Sequence, residues 1–430
     1  MAMTMTEKLL ARACGLDSVK PGDVISPEPE LVIMHDGYVE TAHKQLSDIG
    51  YRRITNAERV MIITDHNTIQ TTPRSIEQSR ANRRIAAEWK VGHFFDVGRG
   101  GHGHIYPMEA GLVKPGMFLF AYDMHCTNFG AVGALALRAG PDVPMVLATG
   151  SMWTVVPETL RVELRGRFAP GVLARDLGFR LSADLSSGRH GLEFDHRIVE
   201  FGGDAVEAMP LAERIALCNT LTEIGVSGVI FPPLSPTGAP ADDSWVRSDD
   251  DARFESRLAL DLGDLEPQVA LPGRPDNAVP VGQAAGRPVD HAYLGSCGSG
   301  MFEDFALAAD IVRGRKIADR VRLFVVPGTV EIARRMAEQG ISQVFLDAGA
   351  ILLPAGCGPC AGGVGAPLGP GEVSISTAAT NGVGRMGSKE AECYLGSPAT
   401  VAASALAGRI VDPRSWADAS RAEPDPALVH

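Results

Sequence analysis

The chain has 430 residues, enough for about three domains with sizeable cores. Its formal net charge of −12 argues against nucleic acid as a general partner, because phosphate contacts need a basic surface. No stretch approaches the roughly twenty uninterrupted apolar residues that span a bilayer. The N-terminus shows no basic segment followed by an apolar core, and the seven scattered cysteines are unlike a secreted disulfide framework. A cytoplasmic, enzyme-like chain is expected.

In chain order, MTEKLLARAC (5–14) reads as an amphipathic helix capped by Thr6, with Leu9, Leu10 and Ala13 on one side. LVIMH (31–35) is a short buried strand that leads into His35-Asp36. RVMIITDHN (59–67) is an apolar strand ending in Asp65 and His66, where open α/β sheets place their ligands. A satisfied turn pair would show the same two residues. The helix SIEQSRANRRIAAEWK follows, with Ser75 as its cap. In FFDVGRGGHGHIYPME (94–109), His102 and His104 share a face if the segment is a strand, yet nothing nearby completes a zinc ligand set. GMFLFAYDMHCT (116–127) repeats the pattern of an apolar strand followed by Asp123 and His125, and a small-residue helix is expected from Gly130. Two strand ends carrying Asp and His predict one polar site shared between parallel strands.

TLRVELRGR (159–167) opens a smaller middle domain. Its helix RIALCNTLTEIG (214–225) sets Asn219 and Glu223 four apart, hence on one face. Residues 231–290 are rich in Pro, Gly and Asp, and the acidic run 249–251 reads as a solvated loop or a helix start. The expected domains are 1–158, 159–264 and 265–430. The third contains Cys297 in LGSCGSG and the pair Cys357 and Cys360 in GCGPC, where Gly and Pro permit tight turns. A Cys-x-x-Cys pair suits a redox dithiol, half a zinc site or two ligands of an iron–sulfur cluster. No thioredoxin-like unit precedes it, and no second close thiol pair exists. Three cysteines on glycine-flanked loops suit a four-iron cluster with one iron free of protein, a Lewis acid for a substrate oxygen. On spacing alone, zinc, a disulfide and plain buried thiols stay open.

Around CGPC, the runs GPGEVSIST, NGVGRMG and YLGSPATVAASALAGRIVDP resemble the cluster-binding end of the aconitase superfamily. The likeness is strongest to the 3-isopropylmalate dehydratase large-subunit family, and matches recur in that family's order from about residue 7 to residue 412. The resemblance implies three α/β domains of the aconitase type, with parallel or mixed sheets flanked by helices around a cluster site and no swivelling fourth domain. It implies a 4Fe-4S cluster with Cys297, Cys357 and Cys360 as metal ligands. Asp65, His66, His104, Asp123, His125 and Glu223 match catalytic positions, and His35, Arg385, Thr380 and Met124 match substrate-binding ones.

The implied chemistry is reversible dehydration of a small hydroxy-dicarboxylic acid. His66 or His125 would protonate the departing hydroxide. The base for the carbon-bound proton, a serine on a separate small domain in the family, would come from a small swivelling-domain subunit. The chain departs from the family pattern at four places. Met124 replaces a serine and Cys126 a threonine, Gly298-Ser299 replaces Thr-Asn, and Thr380 replaces the first of two arginines while Arg385 is kept. Such changes weaken the polar grip on a carboxylate. A hydratase of another diacid, of maleate or substituted-malate type, is therefore the alternative. A non-catalytic cluster-based sensor is the alternative from another class, and so many convergent acid–base groups argue against it.

Overall fold

The computed structural model describes residues 2–234 and 244–417, which build three main sheets with helices packed on them. The first sheet comprises β1 (Leu31–His35), β2 (Val60–Ile63), β3 (His93–Phe95), β4 (Phe118–Ala121) and β5 (Leu135–Arg138). Their order is β3-β2-β1-β4-β5, and every neighbouring pair is parallel. β1, β2 and β4 are buried at every position, because alternate side chains enter two different cores. Val32, Met34, Val60 and Ile62 meet α1 (Met5–Ala13), α2 (Val39–Asp48) and α3 (Pro73–Trp89) on one face. Leu31, Ile33, Met61 and Ile63 join a core shared with the second sheet.

That second sheet holds β6 (Thr159–Arg165), β7 (Ile198–Gly202), β8 (Gly228–Ile230) and β9 (Ser256–Asp261), ordered β8-β7-β6-β9 and all parallel. Helices α4 (Ala174–Ser186) and α5 (Leu211–Thr222) pack on each other beside it. The third sheet contains β10 (Gln268–Ala270), β11 (Ala278–Pro280), β12 (His291–Leu294), β13 (Arg322–Val325), β14 (Ile351–Leu352), β15 (Val373–Ser376) and β16 (Glu392–Gly396). Its order is β11-β10-β16-β15-β12-β13-β14, antiparallel on both sides of β10 and parallel elsewhere. The expected α/β architecture, with parallel and mixed sheets flanked by helices, is what the chain forms.

Several local expectations are corrected. Thr4, not Thr6, caps α1 in a reciprocal capping box with Glu7, while Thr6 is buried inside the helix against Thr159. Thr72 caps α3, because Pro73 occupies its first turn, and Ser75 is the box partner three residues on. No helix starts at Gly130. The chain instead makes 3-10 turns over Met124–Val132 and enters β5. A Cβ on Gly130 would stand 1.7 Å from the Val229 carbonyl oxygen, so backbone contact with β8 sets this course. Upstream of the CGPC loop, the helix Ile341–Ala348 is ended by Gly349 in a left-handed conformation before β14. The acidic run 249–251 is a loop with Asp250 and Asp251 exposed, as expected, and Asp249 accepts from the Met3 N–H and pairs with Lys8 at 2.6 Å. Residues 235–243 of the Pro/Gly/Asp-rich stretch and the polar tail beyond 417 lie outside the described residues. No described helix is long and apolar enough to cross a membrane.

Candidate active site

The order of the first sheet reverses between β1 and β4, and the crevice beyond the C-terminal ends of such strands is where open α/β sheets bind ligands. His35 ends β1, Asp65 and His66 follow β2, and Asp123 and His125 follow β4. Asp65 is fully buried and divides its oxygens between partners. Oδ2 bonds the His35 Nδ1 at 2.9 Å and accepts the Gly103 N–H at 2.8 Å, while Oδ1 lies 2.6 Å from the His66 Nδ1. Asp36 accepts the backbone N–H groups of His66 and Asn67. Burial works against a charged Asp65, but His35 and His66 outweigh it and hold the carboxyl well below its ordinary range. Burial also opposes charge on His66, and the Cys357 sulfur with Asp65 and Asp36 overcomes it, raising that imidazole well above its usual value.

A second cluster forms across the first two sheets. The His125 Nδ1 is 3.0 Å from Asp123 Oδ1, and its Nε2 is 2.7 Å from Oε1 of Glu223, the residue that ends α5. Burial disfavours the cation, yet these two carboxylates push the His125 pKa up to about 10. His104 links the clusters: its ring centroid is 4.4 Å from that of His35 and 5.8 Å from that of His125. Burial, reinforced by His35, holds His104 well below the usual histidine value. Neither of its ring nitrogens is hydrogen bonded among the described residues. Charged imidazoles and a neutral one thus share one pocket, which is what proton donation and acceptance at neutral pH require.

The third sheet supplies sulfur. Cys297 follows β12, and Cys357 and Cys360 follow β14. All three are buried, and all seven cysteines are free. Cys357 donates its N–H to the Asp65 carbonyl at 2.9 Å, so the cysteine loop forms a wall of the Asp–His pocket. Gly356 makes this approach possible, since its φ is 146° and a Cβ there would lie 2.7 Å from that same carbonyl oxygen. Before Cys297, Ser296 holds a left-handed φ of 71°, secured by its Oγ donating to the Thr377 carbonyl at 2.6 Å. Each sulfur has a side-chain nitrogen beside it: Asn219 Nδ2 at 3.0 Å from Cys297, His102 Nε2 at 3.2 Å from Cys357, and Arg385 Nη2 at 4.0 Å from Cys360. Burial pushes the Cys297 and Cys357 thiols well above the usual range, so a metal must displace their protons. Three buried sulfurs, two beside N–H donors and the third beside a ring nitrogen of His102, fit an anionic iron–sulfur group.

The four-residue spacing on α5 does serve one face: Asn219 reaches Cys297 and Glu223 reaches His125. His102 and His104 lie in an irregular turn, not on a strand, and their ring nitrogens come within 4.8 Å of each other and of the Cys297 sulfur. Met124, Thr380 and Arg385 are half-buried, and Cys126 is turned into the core between the first two sheets. The sequence reading gave His102 no role beyond an incomplete zinc pair, and Asp36 none. His102 was signalled by its two-residue spacing from His104, and Asp36 by its place at a strand end.

The profile of the Aconitase family (aconitate hydratase) matches residues 8–288 and 282–408. The chain belongs to the aconitase family. It is 37% identical to 3-isopropylmalate dehydratase large subunit 1 of Methanopyrus kandleri, covering 97% of this chain and 100% of that one. It is likewise 37% identical to a probable methanogen homoaconitase large subunit of Methanothermobacter thermautotrophicus, covering 96% of this chain and 98% of the relative. The 3-isopropylmalate dehydratase large subunit of Moorella thermoacetica is 36% identical, covering 96% and 99%. Among solved structures, aconitase X (holo-form) of Thermococcus kodakaraensis superposes with a TM-score of 0.50 at 10% identity, over 82% of this chain and 84% of that one. That likeness concerns the fold alone. As an aconitase-family protein with dehydratase relatives, the chain is a hydro-lyase. The relatives' designation as large subunits implies a small-subunit partner, and the family implies an iron–sulfur cluster, which the buried cysteines fit.

Proposed function

We propose that this chain is the large subunit of an iron–sulfur hydro-lyase that reversibly dehydrates a small hydroxy-dicarboxylic acid of the 3-isopropylmalate type. The observation that carries the reading is the 2.9 Å hydrogen bond from Cys357 N–H to the Asp65 carbonyl, which joins the sulfur pocket to the acid–base pocket. Cys297, Cys357 and Cys360 are the ligands of a 4Fe-4S group, which when bound supplies a Lewis-acidic iron for substrate oxygens.

The remaining work falls to the chain's own groups. His66 is the proton donor to the departing hydroxide: carboxylates hold its Nδ1, and its side chain keeps 22% exposure. Both His125 nitrogens are occupied by carboxylates, so His125 fixes Asp123 and Glu223 until substrate displaces one of them. Arg385 grips a substrate carboxylate, and His35 and His104 set the polarity behind it. The small subunit brings the base for the carbon-bound proton. The domain division 1–158, 159–264 and 265–430 is part of this reading, supported by sheets whose strands lie within 31–138, 159–261 and 268–396. So is a cytoplasmic location.

The second reading, a hydratase of maleate or another substituted malate, is favoured by Met124 and Thr380, which give the pocket a thioether and a hydroxyl where the resemblance has a hydroxyl and a guanidinium. The deciding experiment is a hydration and dehydration assay of the cluster-loaded chain with its small subunit on a panel of malate derivatives. Absence of turnover on every diacid, with iron content verified, would overturn the proposal.

A further inference from the structure

The two strand ends that flank the reversal of the first sheet carry two aromatic side chains outside any motif. Tyr38 lies two residues beyond Asp36, and Tyr122 immediately precedes Asp123. Tyr122 extends the β1–β4 pairing by donating its N–H to the Ile33 carbonyl at 3.1 Å. Their rings stack, with centroids 3.7 Å apart and planes 14° from parallel. Tyr38 also stands edge-on to His66, 6.1 Å between centroids. Burial raises the Tyr38 phenol pKa, and Asp123, His66 and Arg385 all lie near enough to act on it. Tyr38 is thus an uncharged face beside the acid–base cluster. A pair serving only the core would be sealed like Phe118 and Phe120 on β4, each 1% exposed, whereas both tyrosines are half-buried.

We propose that Tyr38 and Tyr122 form an apolar shelf in the substrate site and are specificity-determining residues that read the side group of the substituted malate. This rests on the hydro-lyase reading above. An alkyl or aryl group laid on the ring faces gains burial and aromatic contact. A third carboxylate there would face Asp123, while the nearby cations are already engaged, His66 with Asp65 and Arg385 with a carboxylate that malate itself carries. Desolvating such a carboxylate without a partner is strongly unfavourable.

The test compares kcat/KM for malate, 3-isopropylmalate, 3-benzylmalate and citrate, using the cluster-loaded chain with its small subunit. Both substituted malates are expected to exceed malate by about tenfold or more, the scale of a hydrophobic pocket's grip on added carbon, with the gain in KM. Citrate gains nothing. The ratio of substituted malate to malate falls to about one in Tyr38→Ala and, independently, in Tyr122→Ala, whereas Tyr38→Phe, which keeps the ring, retains it. Malate turnover without gain from the substituents, or a gain that survives loss of a ring in a folded variant, overturns the shelf alone. No turnover of any malate overturns the hydro-lyase reading and the shelf together.

Discussion

Glu223→Gln isolates the electrostatics of the site. Glu223 contributes one of two carboxylates to His125 at 2.7 Å, and the two side chains are only 14% and 10% exposed. A hydrogen bond to a charged group contributes about 1.5–3 kcal/mol. At about 1.36 kcal/mol per pKa unit, its loss lowers the His125 pKa by roughly one to two units. From the present value of about 10, the variant imidazole should titrate between roughly 8 and 9. The sign of the stability change follows. The folded pKa lies above the unfolded value of about 6.5, so the charged imidazole's contribution is complete below that pH and lost as pH rises towards 10. The stability deficit of Glu223→Gln should therefore be constant below about pH 8 and close by about pH 10. Histidine-selective nitrogen NMR of the isolated chain, with thermal melts across the same range, measures both. A His125 in Glu223→Gln that still titrates near the wild-type value would refute the reasoning, as would a wild-type His125 already neutral at pH 8.

The other expectations concern the sulfur pocket, the partner and specificity. Cys297→Ser, Cys357→Ser and Cys360→Ser should each lose iron and visible absorbance after anaerobic reconstitution, while Cys14→Ser, Cys218→Ser and Cys393→Ser should keep both. Gly298→Thr should destabilise the chain by about 1–3 kcal/mol in denaturant melts and lower its iron content, as overpacking does. The reason is that a Cβ there falls 2.3 Å from Asn219 Oδ1 and 2.4 Å from Arg175 Nη1, dislodging the donor on the Cys297 sulfur. The purified chain alone should fold but show little hydro-lyase turnover, and full turnover without a small subunit would remove the two-subunit assignment. Met124→Ser combined with Thr380→Arg should improve kcat/KM for substrates with an additional carboxylate, since a guanidinium fork restores a bidentate grip; an unchanged ranking of substrates counts against those positions setting specificity.

What was legible in the sequence followed from strong local rules. Apolar runs ending in Asp-His and Asp-x-His gave β2 and β4 their strands, and the parallel arrangement brought both ends to one crevice. The i,i+4 spacing of Asn219 and Glu223 was enough to place them on one face. The failures have physical causes as particular. The run from Gly130 has helical composition, but close backbone contact with Val229 drives it through 3-10 turns into a strand. Thr6 and Ser75 have the chemistry of caps, yet Thr4 with Glu7 and Thr72 with Pro73 offered better-satisfied alternatives a few residues upstream. The Tyr38–Tyr122 stack joins residues 84 positions apart through sheet order, which no local pattern encodes.

The site draws on all three sheets, and this explains an otherwise costly feature. The first sheet supplies Asp65, His66 and Asp123, α5 beside the second supplies Asn219 and Glu223, and the third supplies the cysteines. Buried polar atoms at this junction lack hydrogen-bond partners among the described residues: both ring nitrogens of His104, His35 Nε2, and Nε and Nη1 of Arg175. Each such group left unsatisfied costs about 1–3 kcal/mol. A fold selected for stability alone would fill the junction with apolar side chains, as the cores on either face of the first sheet do. Polar groups gathered here suit a charged ligand, and Arg175 lies close enough to the Cys297 sulfur for that charge to oppose the burial that lowers its own pKa. Buried donors and acceptors converging from all three sheets on one junction are thus an argument for a binding role that needs no motif.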